Sequence, residues 1–337
     1  MEKGHLGVYQ LMITSKYFDS INDFKNLELA TKKAKGNMEK FHYNPIPLDR
    51  ETRKYFTSLE TLNIYRKGDE EFRDEHFYKR IIHYRISYEE YLEKKQEEDE
   101  YVTVCLSEKQ TKGMDEIPPG VTEIGDLCFY MNRSKELVIP NTVTSIGTFS
   151  FFSMHQLTKL VLSTNLKIIE PRCFCDLPLL KEIIIPNSVS CISGFFFDQC
   201  PQLTAMTIPT HWKLVGNRFM NNLPFFCSFE LPRSVIKLNG EIVERQQLEQ
   251  FTIPTFVRSI SKCCFFYCES LKSIDIPSSV RTICCNAFEG CSSLTSITIP
   301  SSKIQFGQGC FRNSGITKEN HPELPDDCFF SFIDFIV

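Results

Sequence analysis

Tryptophan is nearly absent from the sequence, with one residue in 337, and glycine is sparse at 15. Neither GxGxxG nor GxxxxGK[ST] occurs, so no glycine loop is available to cradle phosphate, and GxSxG and HExxH are missing too. The histidines stand apart at His5, His42, His76, His83, His155, His211 and His321. Without a nucleophile, base or ligand constellation, the expectation is a chain that is not an enzyme and holds no cofactor and no metal. There is no excess of positive charge either. The formal net charge is −4, which argues against a nucleic-acid partner, since phosphate binding wants a basic face. No uncharged apolar run approaches the ~18–20 residues of a membrane span. The opening MEKGHLGVYQLMITSKYF has no apolar stretch of signal-peptide length. On that ground a cytoplasmic location is expected, with the 15 cysteines as free thiols.

What is present divides the chain in two. Residues 1–116 carry 43 charged positions, against 37 in the remaining 221, so charge is concentrated at the start. The first region, 1–116, reads as charged and largely helical, with one repeat-like strand motif near 59–65 (Leu59-x-x-Leu62-x-Ile64). EEYLEKKQEEDE, from Glu89 to Glu100, reads as a solvated face.

Beyond it the chain repeats. Ile-Pro or Leu-Pro begins at Ile117, Ile139, Ile185, Ile208, Leu231, Ile253, Ile276 and Ile299, with a degenerate start at Leu162, so successive steps are 22 or 23 residues. Each unit reads I-P-x-S-V-x-x-I, four residues, Phe, a small or apolar residue three later, then L-x-x-I-x before the next Ile-Pro. The closing alternation is strand-like, and the proline ends it because it lacks a ladder donor. One unit cannot bury its own apolar face, so units must stack. Stacking predicts an aromatic column of Phe129, Phe151, Phe174, Phe197, Phe265, Phe288 and Phe311. It predicts a second column of Ile124, Ile146, Ile169, Ile192, Val215, Ile260 and Ile283. Cys128, Cys173, Cys264 and Cys310 precede the Phe, and Cys200, Cys268 and Cys291 follow it by three. Both are places for a small hydrophobe, which cysteine supplies.

This pattern resembles the BspA-like leucine-rich repeat family. The likeness covers residues 117 to about 315, and the segment LMITSKYF…FTSLETLNIY is similar to the leader of amoebal members. The resemblance implies an α/β-type repeat solenoid with a curved parallel sheet on its concave side and a small helical N-terminal region. It also implies adhesion or surface recognition by protein binding, and so cell-surface display. Nine units are expected over 117–315, with a cap over 316–337 ending in the apolar CFFSFIDFIV.

The outward positions of L-x-x-I-x form the candidate binding face. They include Thr158, Lys159, Lys181, Glu182, Thr204, Thr207, Ser228 and Glu230. Glu249, Gln250, Thr252, Lys272, Ser273, Asp275, Thr295, Ser296 and Thr298 continue it. Unit 231–252 breaks the pattern, with Val243 where Phe belongs, and Trp212 stands in a Val column just before it; either the face or this unit could bind. The partner expected is a protein, and the chain is expected to be a monomer. As an alternative, YQLMITSKYF…DFKNLELATKKAKG is similar to an F-box, which implies an intracellular adaptor presenting bound proteins to a ubiquitin ligase.

Overall fold

Each repeat begins with a turn. In the computed structural model, which describes residues 7–111, 113–192, 197–221, 223–243, 247–300 and 304–330, the Val N–H of Pro-x-x-Val donates back to the Pro carbonyl. Val143→Pro140, Val189→Pro186, Val257→Pro254 and Val280→Pro277 span 3.0–3.1 Å. Proline fixes the dihedral that starts the turn and asks for no donor of its own. The chain then enters a two-residue strand, rounds a bend at the Phe, and leaves through a three-residue strand centred on L-x-x-I.

Two parallel sheets result, so this is a leucine-rich repeat solenoid. The short strands Glu123–Ile124, Ser145–Ile146, Ile168–Ile169 and Cys191–Ile192 pair in order. The long strands Glu136–Val138 and Lys159–Val161 pair with each other, as do Glu182–Ile184 and Ala205–Thr207. A second stack repeats the arrangement. Its long strands are Gln250–Thr252, Ser273–Asp275 and Ser296–Thr298. Its short strands are Ser259–Ile260, Thr282–Ile283 and Gln305–Phe306.

The predicted aromatic column is buried and stacked. Ring centroids are 5.5 Å apart for Phe129–Phe151, 5.6 Å for Phe151–Phe174, 5.1 Å for Phe265–Phe288 and 5.4 Å for Phe288–Phe311. Several of these rings also carry a backbone rung. The N–H of Phe129, Phe151, Phe265 and Phe288 donates to the carbonyl just before the next Phe, at 2.7–3.1 Å. The cysteine columns are buried as well. Their thiols act as weak donors to carbonyls of the preceding turn: Cys200 Sγ to Phe174 O at 3.1 Å, Cys291 Sγ to Phe265 O at 3.0 Å. In the other column, just before the Phe, Ser150 sends its hydroxyl to Gly125 O at 3.0 Å as Cys173 sends its thiol to Gly147 O at 3.5 Å, which explains the exchange of Ser and Cys there.

Between the stacks the 23-residue spacing continues but the structure changes. The Pro-x-x-Val turn survives at Pro209–Trp212 and Pro232–Val235. Trp212 fills the Val column, is buried, and points its indole N–H at Val189 O, 3.4 Å away. After it, Lys213–Val215, Arg218–Met220 and Ser228–Glu230 fold into an antiparallel sheet. Val215 therefore leaves its predicted column and is half-buried. Lys237–Leu238 stands where a short strand belongs, yet pairs with the long strand Ala205–Thr207. It turns at Asn239-Gly240, both with positive φ as a two-residue hairpin requires, into Glu241–Ile242. Phe225–Phe226 takes the vacated short-strand place beside Ser259–Ile260.

The last rungs of the second stack are irregular. Phe311 N–H donates to Cys328 O at 2.8 Å and Gly309 N–H to Asp327 O at 2.7 Å, so residues 327–328 stand where a further unit would. The apolar tail of 331–337 lies outside the described residues.

Residues Met1–Cys105 form a separate compact unit from Leu106–Val337. It contains helices α1 (Val8–Ser15), α2 (Ile21–Ala30) and α3 (Tyr88–Lys94). Ser20 and Asp23 make a capping box that starts α2. Phe24 on α2 sits at the centre of edge-to-face contacts with Phe18, Phe41 and Phe56 at 5.1–5.8 Å. Where the sequence suggested one strand motif near 59–65, three parallel strands occur: Thr61–Ile64, Lys79–Ile82 and Asp99–Tyr101. Their spacing of 18–20 residues is shorter than the repeat and carries no Ile-Pro mark, which hid the second and third from a 23-residue search.

Candidate functional site

A strand with one face buried must present every other residue to solvent. In the long strands the central residue is buried (Leu137, Leu160, Ile183, Met206, Ile274, Ile297) or, for Phe251, half-buried, and its neighbours face out. Of the predicted face, Thr158, Lys159, Lys181, Glu182, Thr204, Thr207, Glu249, Gln250, Thr252, Lys272, Asp275, Thr295, Ser296 and Thr298 are exposed. Ser273 is half-buried.

Ser228 and Glu230 are corrected. Ser228 is fully buried and Glu230 is half-buried, because Ser228–Glu230 belongs to the antiparallel sheet and not to the strand face. The Ser228 hydroxyl donates to Cys264 O. Leu231-Pro232 keeps the repeat's spacing, so the segment before it reads as a regular strand although its backbone pairs elsewhere.

The two stacks present different faces. On the second, polar groups pair with each other: Lys272 Nζ lies 2.8 Å from Glu249, and Thr298 donates to Asp275 at 3.1 Å. On the first, the position after the buried centre is aliphatic. Val138, Val161 and Ile184 are 61%, 41% and 64% exposed. Val138 and Val161 are register partners on neighbouring strands, and Ile184 occupies the same place on the next. Thr207 ends the row, in register with Ile184. Glu136 and Lys159 approach at 3.7 Å beside it. The side chains of Lys181 and Glu182, on the same strand as Ile184 or just before it, form no ion pair among the described residues. Val138 was missed by the sequence reading, since Glu136–Val138 follows an L-x-x-I whose first leucine is Ser134. The alternation E-L-V before Ile139 was the signal that could have found it.

A cleft of about 440 Å³ lies between Phe197–Pro201 and Glu230–Ser234, beside the interruption. Asp198, Glu230 and Arg233 line it, so its charges are mixed. Among the described residues no group of three or more His, Cys, Asp or Glu side chains is placed to hold a metal ion. No helix among them is long and apolar enough to cross a membrane.

Comparison with known proteins bears on the repeats. The family model described as "BspA type Leucine rich repeat region" matches residues 115–226 and 215–331, with six copies. No curated protein matches the chain. Among solved structures, the pneumococcal vaccine antigen PcpA is 16% identical, with 64% of this chain and 60% of that one covered and a TM-score of 0.37. A leucine-rich repeat protein of T. pallidum is 19% identical, covering 67% and 78%, with a TM-score of 0.26. One from Bacteroides ovatus is 17% identical, covering 76% and 64%, with a TM-score of 0.30. The chain thus spans less than two thirds of the pneumococcal and Bacteroides proteins it is similar to.

Proposed function

The chain belongs to the BspA-type leucine-rich repeat family, and from that premise we propose that it recognises a protein partner through the strand face of its first stack, in adhesion or surface recognition. Proteins built from these repeats are generally interaction scaffolds and not enzymes, and members of this family are often surface-associated. The observation that carries the reading is the aliphatic row Val138–Val161–Ile184, bordered by the exposed charges of Lys181 and Glu182, which form no ion pair among the described residues. Three solvent-facing β-branched side chains in line give a desolvatable centre, and charges at its border give register and selectivity. The second stack offers no such centre, because Thr252, Asp275 and Thr298 hold the same position.

Val161→Asp with Ile184→Asp puts charge into the row without touching the core. Partner capture by the full chain, compared under crosslinking, is expected to fall at least tenfold, with thermal stability unchanged. Thr298→Asp, at the matching place on the second stack, is expected to leave capture intact. Equal capture by all three proteins would remove the first face from consideration.

A further inference from the structure

Several buried thiols of this chain point at backbone carbonyls. Two pairs of cysteines face each other, and in one of them a sulfur is only half-buried. Cys191 Sγ and Cys227 Sγ are 3.2 Å apart. Cys191 lies on the last short strand of the first stack and is half-buried. Cys227 is fully buried and lies between Phe225–Phe226 and the antiparallel sheet.

The approach of the two sulfurs is set by a buried asparagine. Asn221 Nδ2 donates to Ser190 O at 3.0 Å and to Phe225 O at 3.1 Å. Its Oδ1 accepts the Cys227 N–H at 2.9 Å. One side chain thus grips the residue before Cys191 and the backbone of Cys227 together. To reach a bond of about 2.0 Å the sulfurs must close by roughly 1.2 Å, which small side-chain rotations supply.

We propose that Cys191 and Cys227 are a peroxide-oxidisable dithiol that closes into a disulfide across the interruption between the stacks. The solvent-reachable Cys191 meets the oxidant. Its sulfur displaces water from hydrogen peroxide, giving Cys191–SOH and one H₂O. The Cys227 thiol then attacks that sulfur. The S–O bond breaks, the S–S bond forms, and the thiol proton leaves with the hydroxyl as a second H₂O. Two thiols and one peroxide become one disulfide and two waters. Burial and the facing Cys191 push the Cys227 thiol well above its ordinary pKa, so it is not the thiol that meets peroxide first; its attack on Cys191–SOH rests on the 3.2 Å approach of the two sulfurs. The new bond ties residues 36 positions apart. It clamps the antiparallel sheet, which grips the second stack through Arg218 and Ser228, to the end of the first stack.

Cys310 and Cys328 provide the internal contrast. They also share a hydrogen bond, but both are fully buried at the end of the second stack, so neither offers peroxide a half-exposed sulfur as Cys191 does.

The test treats the full-length folded protein with hydrogen peroxide, blocks remaining thiols after unfolding, and maps unreduced peptides by mass spectrometry. A Cys191–Cys227 linkage is expected, reversed by dithiothreitol, with Cys310 and Cys328 still alkylated. In Cys227→Ser the sulfenic acid has no partner, so dimedone is expected to label Cys191. Asn221→Ala, with its fold checked by circular dichroism, is expected to slow closure about tenfold by loosening the alignment. Amides of Arg218–Met220 are expected to exchange more slowly in the oxidised protein. A persistent dimedone adduct on Cys191 in the unsubstituted protein would overturn the proposal. So would linkage of either residue to any other cysteine, and unchanged exchange at Arg218–Met220 would overturn the clamp.

Discussion

The regular stacks and the interruption at residues 208–249 solve the same problem with different atoms. In a regular unit the Phe N–H serves the carbonyl that precedes the next Phe. Before the second stack the residue in the Phe position is Val243, and its N–H turns instead to Ile236 O within the hairpin. The Cys264 carbonyl, which should have received it, is served by side chains. Arg218 Nη2 reaches it at 2.7 Å, and the Ser228 hydroxyl joins from the next strand of the antiparallel sheet. The Arg218 guanidinium is fully buried, lies 5.9 Å from the centre of the Phe265 ring, and has no carboxylate partner among the described residues. The repeat's rule is thus one of satisfied backbone groups and filled columns. A sequence that breaks the motif still obeys the rule if other donors arrive.

The sharpest way to break this comparison is at the two aromatic positions. Phe288 is fully buried between Phe265 and Phe311, and Phe288→Ala is expected to cost about 3–5 kcal/mol. Val243 occupies the same motif position but is half-buried on a hairpin, so Val243→Ala is expected to cost under about 1 kcal/mol. Urea unfolding of both variants measures the difference. Similar losses would mean that Val243 belongs to the column after all.

Arg218 tests the substitute donors. Arg218→Ala removes one of the two donors to Cys264 O and empties a fully buried site, for an expected loss of roughly 2–4 kcal/mol. Arg218→Met keeps most of the volume and removes the buried charge, so it is expected to recover about half of that. Ser228 still serves the carbonyl in both variants. If Arg218→Ala unfolds at the same urea concentration as the parent, the guanidinium contributes nothing to holding the second stack.

How much of this was legible follows from what each residue type can and cannot signal. Proline and phenylalanine recur because each is needed by one local geometry, so the turns, columns and stack of repeats could be read directly. The interruption could not. Pro209 and Pro232 kept their turns and their spacing, so Ser228 and Glu230 fell into the phase of a strand that pairs with a different sheet. Pairing partners are tertiary facts, and a spacing search reports only local ones. The row Val138–Val161–Ile184 was half visible. Val161 and Ile184 were readable as outward, but exposed aliphatics become a surface feature only when register lines them up. The Cys191–Cys227 approach had no sequence signal, because 36 residues and a change of sheet separate the two.

A smaller effect tests whether the regular bends are relaxed. In the regular units the residues two before and two after the Phe adopt left-handed backbone wherever they are described. The earlier set includes Leu127 (φ 57°), Phe149 (56°), Arg172 (59°), Cys263 (52°) and Asn286 (57°). The later set includes Met131 (56°), Ser153 (58°), Asp176 (57°), Gln199 (56°), Tyr267 (50°) and Asn313 (53°). None is β-branched, the class least able to adopt this conformation. Each ordinary residue held there costs about 1–2 kcal/mol, so the bends store strain that the rungs and stacked rings hold in place. Glycine already sits at two of these positions, Gly290 (φ 74°) and Gly309 (φ 63°). Gln199 is exposed, and replacing it removes no core contact. Gln199→Gly is therefore expected to stabilise the chain by up to about 1 kcal/mol, the relief of strain exceeding glycine's greater unfolded freedom. Gly290→Ala is expected to do the reverse and by more, since its added carbon would meet the Tyr267 ring at 2.7 Å. Thermal melts of the two variants should move in opposite directions. A lower midpoint for Gln199→Gly would show that the left-handed bends carry no strain and that the units are as relaxed as the Asn239-Gly240 hairpin of the interruption.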